Sequence, residues 1–203
     1  MKKILDYSWI INGRKYNLTI RKIIDLTKDY FKVNKAENCF LSQGDPILNN
    51  IGYKPVFFDF ETAGFNPIVA EASIFFWGVF IAEVYFNPKY HKSSYYRHQK
   101  VTKDGLNKPQ IKYSINEKSK TIELEIAYSI SERQRFFLSA YHNFIKQMSQ
   151  REFLNFSHFL TMRALTTLDI KKYSKKDVMT TLAILVLLYK NPISKVFNTD
   201  SLS

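Results

Sequence analysis

The residues with the most chemical promise lie between Leu41 and Asn66. Leu41-Ser42-Gln43-Gly44-Asp45-Pro46-Ile47-Leu48-Asn49-Asn50-Ile51 comes first, and Pro55-Val56-Phe57-Phe58-Asp59-Phe60-Glu61-Thr62-Ala63-Gly64-Phe65-Asn66 follows. These are the residue types that moving a phosphoryl group requires. Such a reaction is catalysed mainly by positioning and by neutralising charge. One carboxylate orients a substrate hydroxyl and takes its proton, while an Asn and a second carboxylate hold magnesium against the triphosphate. The first acid and the Asn belong on one rigid loop, and the second acid ends a neighbouring strand so that all three converge. On this reading Asp45 is the catalytic base, and Asn50 and Asp59 bind the metal and its nucleotide. Asp59 is the main metal carboxylate. If the strand continues, Glu61 shares a face with Asp59, because i and i+2 point the same way, and it helps hold a second ion.

The segment resembles the catalytic and metal loops of aminoglycoside phosphotransferases and choline/ethanolamine kinases. Their pattern is H-G-D-x-x-x-x-N, a short hairpin, then an apolar strand ending in Asp. Here it reads Gln43-Gly44-Asp45 with Asn50, then Asp59. Asp59-Phe60-Glu61-Thr62-Ala63-Gly64-Phe65-Asn66 is similar to the D-Y-E-Y-A-G-Y-N stretch of choline kinases, and the apolar helix that follows matches in place. The resemblance covers residues 18–86 and implies Mg2+ and ATP as cofactors, with a small-molecule hydroxyl as acceptor. It implies a kinase-like C-lobe, a mainly α (α+β) fold with small β-hairpins. In that family residues after the metal loop line the substrate pocket, which makes Tyr90, Tyr95 and Tyr96 candidates to face the substrate, with core or surface packing the favoured alternative.

The chain also departs from that family. Gln43 stands where the family has a histidine that mainly braces the loop. The interval from Asn50 to Asp59 is short, which implies a clipped hairpin. Glu71 sits near the place of a structural Asp. Only 44 residues precede Asp45, where the family has a five-stranded ATP lobe with a phosphate-covering loop and a lysine. Gly13-Arg14-Lys15 is no glycine-rich loop. The expectation is a truncated or split kinase whose N-terminal lobe is missing or comes from a partner chain.

Two other readings stand beside this one. Asp59-Phe60-Glu61-Thr62 with Gly64 also resembles the first motif of DnaQ-like 3′–5′ exonucleases, in which Asp and Glu bind two metals for phosphodiester cleavage. Tyr173-Ser174-Lys175-Lys176-Asp177 would be the late Y-x-x-x-D motif. The middle acidic motif has no counterpart, since His142-Asn143 is followed by no well-placed Asp. Ser174 with Asp177 also reads as a helix N-cap with an acid three residues on. The other reading is an inactive pseudokinase that only binds. Gly44-Asp45-Pro46 by itself is ordinary turn composition.

The supporting elements can be placed from periodicity and end signals. A chain of 203 residues, 45% hydrophobic and 16% aromatic, suits one domain with a core and excludes disorder. The division expected is catalytic and metal loops over 41–66 and a helical subdomain over 67–203. Asn12-Gly13 signals a turn within a short extended piece over 8–16. Leu18 to Phe31 reads as an amphipathic helix. Asn66 caps, and Pro67 opens, an apolar helix to about Tyr85. Its Glu71 and Glu83 favour a core helix over a membrane span. Residues 87–109 look irregular. Residues 111–115 and 121–126 alternate as a surface hairpin. Three helices follow, the first capped by Ser131, the second over about Arg151 to Thr166, the third capped by Ser174.

The net charge of +12 comes from dispersed lysines with no run of five, which points to a solvated surface rather than a nucleic-acid partner. Cys39 is the single cysteine, so no intrachain disulfide forms, and a reducing, cytoplasmic setting without membrane attachment fits.

Overall fold

The computed structural model describes residues 2–33, 37–47, 50, 59–93, 95–97, 107–145, 148–166 and 169–189. Asn12 and Gly13 have φ of 50° and 76°, the positive pair that a two-residue hairpin turn requires. They join strand β1 (Ser8–Ile11) to β2 (Arg14–Tyr16). Trp9 and Ile11 alternate onto the buried face of β1. Thr19 then caps helix α1 (Ile20–Lys32), its hydroxyl accepting from the Lys22 backbone N–H at 3.2 Å. The helix buries Ile20, Ile23, Thr27 and Tyr30. Of the apolar side expected at helical spacing (Ile20, Ile23, Ile24, Leu26 and Phe31), Ile24 and Leu26 are half-buried and Phe31 is exposed.

The alternating segment after residue 109 forms the antiparallel strands β5 (Gln110–Asn116) and β6 (Thr121–Ala127). It is not a detached surface hairpin. Strand β6 runs parallel to β1, with Trp9 opposite Ile122 and Ile11 opposite Leu124, and the sheet order is β2-β1-β6-β5. Ile111, Ile122 and Leu124 lie in the core beside Trp9. Alternation marks a strand with one apolar face, but it does not say which other strand covers its edge.

Between these lie β3 (Cys39–Ser42) and β4 (Gly64–Pro67), a two-stranded antiparallel pair. This corrects the expected helix start. Asn66 and Pro67 belong to β4, and helix α2 (Ile68–Trp77) begins after them. The Asn66 amide is no cap, because it donates to Ser42 Oγ at 3.1 Å and to the Thr62 carbonyl at 3.2 Å. Pairing with β3 outcompetes the local cap. The expected strand at 56–58 and hairpin between Asn50 and Asp59 lie outside the described residues.

Helix α2 passes without a break into a π-helical stretch, Gly78–Phe86, and then α3 (Asn87–Tyr90). Residues 87–90 are therefore helical, not irregular. Phe76, Trp77, Phe80, Ile81 and Phe86 are fully buried, as an all-round apolar helix requires. Among the described residues this is the one helix long and apolar enough to cross a membrane, and 76% of its most apolar window is buried inside the protein.

Helix α4 (Glu132–Ile145) starts at Ser131, whose hydroxyl accepts from Gln134 N at 3.2 Å. Helix α5 (Gln150–Thr166) opens with a reciprocal box. Ser149 N donates to Glu152 Oε2 at 2.9 Å, and Glu152 N donates to Ser149 Oγ at 3.2 Å. After a short turn at Ile170–Lys172, Ser174 caps α6 (Lys175–Leu188). Helices α2, α5 and α6 enclose the core with the four-stranded sheet. The architecture is α+β, helices with small sheets.

Candidate active site

Gln43 closes strand β3 and is only 5% exposed. Its side-chain nitrogen donates to the Asp59 carbonyl, and its side-chain oxygen accepts from the Asp45 backbone N–H at 2.8 Å. Its own carbonyl accepts from the Thr62 hydroxyl at 3.2 Å. A primary amide suits this role because it offers donors at one end and acceptors at the other. Gln43 thus clamps the Asp45 loop to the Asp59 loop, the bracing task expected of a histidine there.

Gly44 completes the contact. Its φ is +90°, and an added Cβ would lie 2.2 Å from the Thr62 carbonyl oxygen. The two loops meet backbone to backbone, so glycine is required.

Asn50 is buried, and its amide nitrogen donates to the Asp45 carbonyl at 2.9 Å. The Asp45 carboxylate is half-buried, and its Oδ1 accepts from Arg163 Nη2 at 2.8 Å. Sequence reasoning missed Arg163. Its signal was an arginine in the last turn of a helix that otherwise buries Leu160, Thr161 and Ala164, and nothing local ties it to Asp45.

Asp59 is exposed and has φ of 57°, a left-handed backbone that Asp and Asn adopt more readily than other side chains. Residues 61 and 62 form a turn, with the Ala63 N–H donating to the Phe60 carbonyl at 3.0 Å. This removes the basis for pairing Glu61 with Asp59, since strand alternation does not apply in a turn. Glu61 is exposed on that turn. Among the described residues no three His, Cys, Asp or Glu side chains gather as a metal site by themselves. Asn50 and Asp59 would therefore hold magnesium only together with oxygens of the triphosphate.

Glu71, in the first turn of α2, is buried, and its Oε1 has no hydrogen-bond partner. Burial pushes its carboxyl above the usual range, and the charge of Asp45 adds to the push. Bonds from the Ser42 hydroxyl and the Gly44 backbone pull the other way. A carboxyl raised in the folded state contributes stability that is present at low pH and lost as pH rises through its folded value. Glu71→Gln is expected to gain stability relative to wild type between acidic and neutral pH, as read by urea unfolding across that range. A stability difference independent of pH would contradict a raised Glu71.

Ser42, Gln43, Pro46, Phe60 and Glu71 border a cleft of about 600 Å3 beside the Asp45 loop. Around it, Leu41 (73%), Phe60 (63%) and Phe65 (80%) are exposed, which leaves an apolar surface next to the candidate chemistry.

The late tyrosine and acid serve another purpose. The Asp177 side chain is 3% exposed and accepts from Lys89 Nζ at 2.8 Å and from the Tyr90 hydroxyl at 2.5 Å. Tyr173 stacks on Tyr90 with ring centroids 4.5 Å apart. Both Asp177 oxygens are engaged, so the Y-x-x-x-D spacing is accounted for by packing, and Tyr90 faces Asp177 instead of a substrate.

The chain matches no protein-family model, no curated protein and no solved structure. The case for its chemistry rests on the loops themselves.

Proposed function

We propose that this chain carries the catalytic and metal loops of a phosphotransferase, which moves the γ-phosphoryl group of Mg-ATP to a small-molecule hydroxyl. The clamp by Gln43, which holds the Asp45–Asn50 loop against Asp59, carries the reading. In the reaction the substrate oxygen attacks the γ-phosphorus and the bond to the β-phosphate oxygen breaks. The hydroxyl proton passes to Asp45, and ADP leaves. Arg163 fixes the Asp45 carboxylate by one oxygen and leaves the other for the hydroxyl. Asn50 and Asp59 would hold a magnesium ion, which would neutralise charge on the phosphates.

A second element must grip the phosphates. The described residues before Asp45 include β1, paired with β2 and β6, and α1, which buries Ile20, Ile23, Thr27 and Tyr30. The Asn12 side chain, bonded to the backbone of Ile126 at 2.8 Å and 3.1 Å, ties the first hairpin into the sheet. The covering lobe, with its lysine, then comes from another chain or another segment, and the apolar surface at Leu41, Phe60 and Phe65 is where it would sit. Without it, nucleotide binding is weak and turnover slow.

Calorimetric titration with Mg-ATP tests the assignment. The wild-type chain is expected to bind weakly and only with magnesium. Asp59→Asn should remove the metal-dependent part, because it keeps a residue that tolerates the left-handed backbone and deletes the charge facing the ion. Asp45→Asn should leave binding nearly intact, since that group faces the acceptor. Tight binding indifferent to Asp59→Asn would overturn the assignment. Magnesium-dependent degradation of single-stranded DNA, lost in Asp59→Ala, would favour the exonuclease reading, and no nucleotide binding at all would favour a pseudokinase.

A further inference from the structure

A second cavity, of about 440 Å3, lies away from these loops, between the start of α6, the Ile170–Lys172 turn, strand β5 and the N-terminal turn. Its size is within the range of small-molecule pockets. The walls are hydrocarbon: Ile115, Ile170, Val178 and Met179, with Ile4 at the N-terminal side. Tyr113 and Tyr173 add ring surface. The Tyr173 hydroxyl is buried without a hydrogen-bond partner, and beside the two lysines the lining is otherwise predominantly apolar.

The charge is concentrated in two other lining residues, Lys171 and Lys175, both exposed. Among the described residues neither forms an ion pair with a carboxylate. The acids close by in sequence make other contacts. Asp169 Oδ1 accepts from the Lys171 backbone at 3.1 Å, and Asp177 is held by Lys89 and Tyr90. Glu117, beyond the end of β5, accepts from the Tyr7 hydroxyl. Two ammonium groups at an aliphatic cavity, neither in ion-pair contact with a carboxylate among the described residues, favour a ligand that is anionic at one end and hydrocarbon at the other.

We infer that this cavity binds a free anionic amphiphile of the medium-chain fatty carboxylate class, with its chain among Ile115, Ile170, Val178 and Met179 and its carboxylate between Lys171 and Lys175. A nucleotide or sugar phosphate fits less well, because the walls carry almost no groups to pair with ring nitrogens or hydroxyls.

Titration of the full chain with decanoate, decylammonium and decanol tests this. Decanoate is expected to bind at one site, with decylammonium at least about tenfold weaker, a step of about 1.4 kcal/mol. The double variant Lys171→Glu/Lys175→Glu should weaken decanoate by about tenfold or more. It should fold as wild type does, because both lysines are exposed and an acid in the first turn of α6 suits the helix dipole. Ile115→Asp, at a half-exposed lining position, should weaken decanoate and decanol together. Decylammonium binding as well as decanoate, or an unaffected charge-reversal variant, would overturn the assignment. So would the absence of decanoate binding at about 1 mM, or binding to anionic phospholipid vesicles without binding to monomeric decanoate.

Discussion

Gly44→Ala is expected to cost about 3 kcal/mol of unfolding free energy and to separate the two loops of the candidate site. The backbone term alone, for a side chain in the left-handed region, is about 1–2 kcal/mol. The rest comes from the close approach. The new Cβ would meet the Thr62 carbonyl oxygen at 2.2 Å and the Thr62 hydroxyl oxygen at 2.7 Å. The carbonyl is main chain and cannot turn aside as a side chain does, so the loop must move. That movement pulls on the Gln43 bonds to Asp59 and Asp45, so magnesium-dependent nucleotide binding should fall with stability. Gly13→Ala is the control. Gly13 also has positive φ, at +76°, but nothing lies within 4 Å of its added Cβ, so only the backbone term of about 1 kcal/mol applies. Urea unfolding of both variants measures the difference. Equal losses would mean that the approach to Thr62 is not tight.

The second large effect is expected at Asp177. Asp177→Ala should destabilise by about 2–3 kcal/mol. The carboxylate is almost wholly buried, and its loss leaves the Lys89 ammonium and the Tyr90 hydroxyl without their acceptor. Lys89 is nearly half exposed, so water recovers part of its charge and keeps the cost below that of a fully buried pair. Lys89 also retains the Tyr85 ring 3.8 Å away, a partial substitute. Burial pushes the Asp177 carboxyl up, but bonds from Lys89, Tyr90, Tyr85 and Ser174 together pull it below the usual carboxylate range. A carboxyl depressed in the folded state contributes stability above its unfolded value of about 3.9, and the contribution disappears as pH falls through the folded value. The deficit of Asp177→Ala should therefore be largest at neutral pH and shrink in acid, as read by unfolding at several pH values. A deficit that grows in acid would reverse the assigned direction.

The alternation of residues 111–126 and the Asn12-Gly13 turn identified strands and a turn, yet not their partnership. Strand β1 reaches β6 across more than half of the chain, and an apolar face at that separation has many partners that satisfy it equally. The candidate site divides in the same way. Asp45, Asn50 and Asp59 could be singled out as candidates because the proposed chemistry restricts residue type and order. The partners of Gln43 were not legible, because a glutamine after a strand has no required partner until the second loop is in place. Arg163 is separated from Asp45 by 118 positions, and its charge has no preferred partner until α5 is packed.

What the sequence determined by itself is what a few neighbouring residues can decide. Thr19, Ser131 and Ser174 accept from backbone N–H groups three residues on, so their helix starts follow from short-range hydrogen bonding. The helical spacing of α1 places Ile20 and Ile23 on the buried side, while packing decides that Tyr30 is buried and Phe31 exposed. The tertiary structure decided everything that depends on a distant partner. Asn66 has the composition of a cap, but β3 offers its backbone and side chain more bonds than a helix start does. Glu61 has strand spacing from Asp59, but Asp59 has a left-handed backbone and residues 61 and 62 form a turn, so strand alternation does not apply. Gly44 was conspicuous as a flexible residue, and only the Thr62 carbonyl pressed against it shows why no other side chain fits.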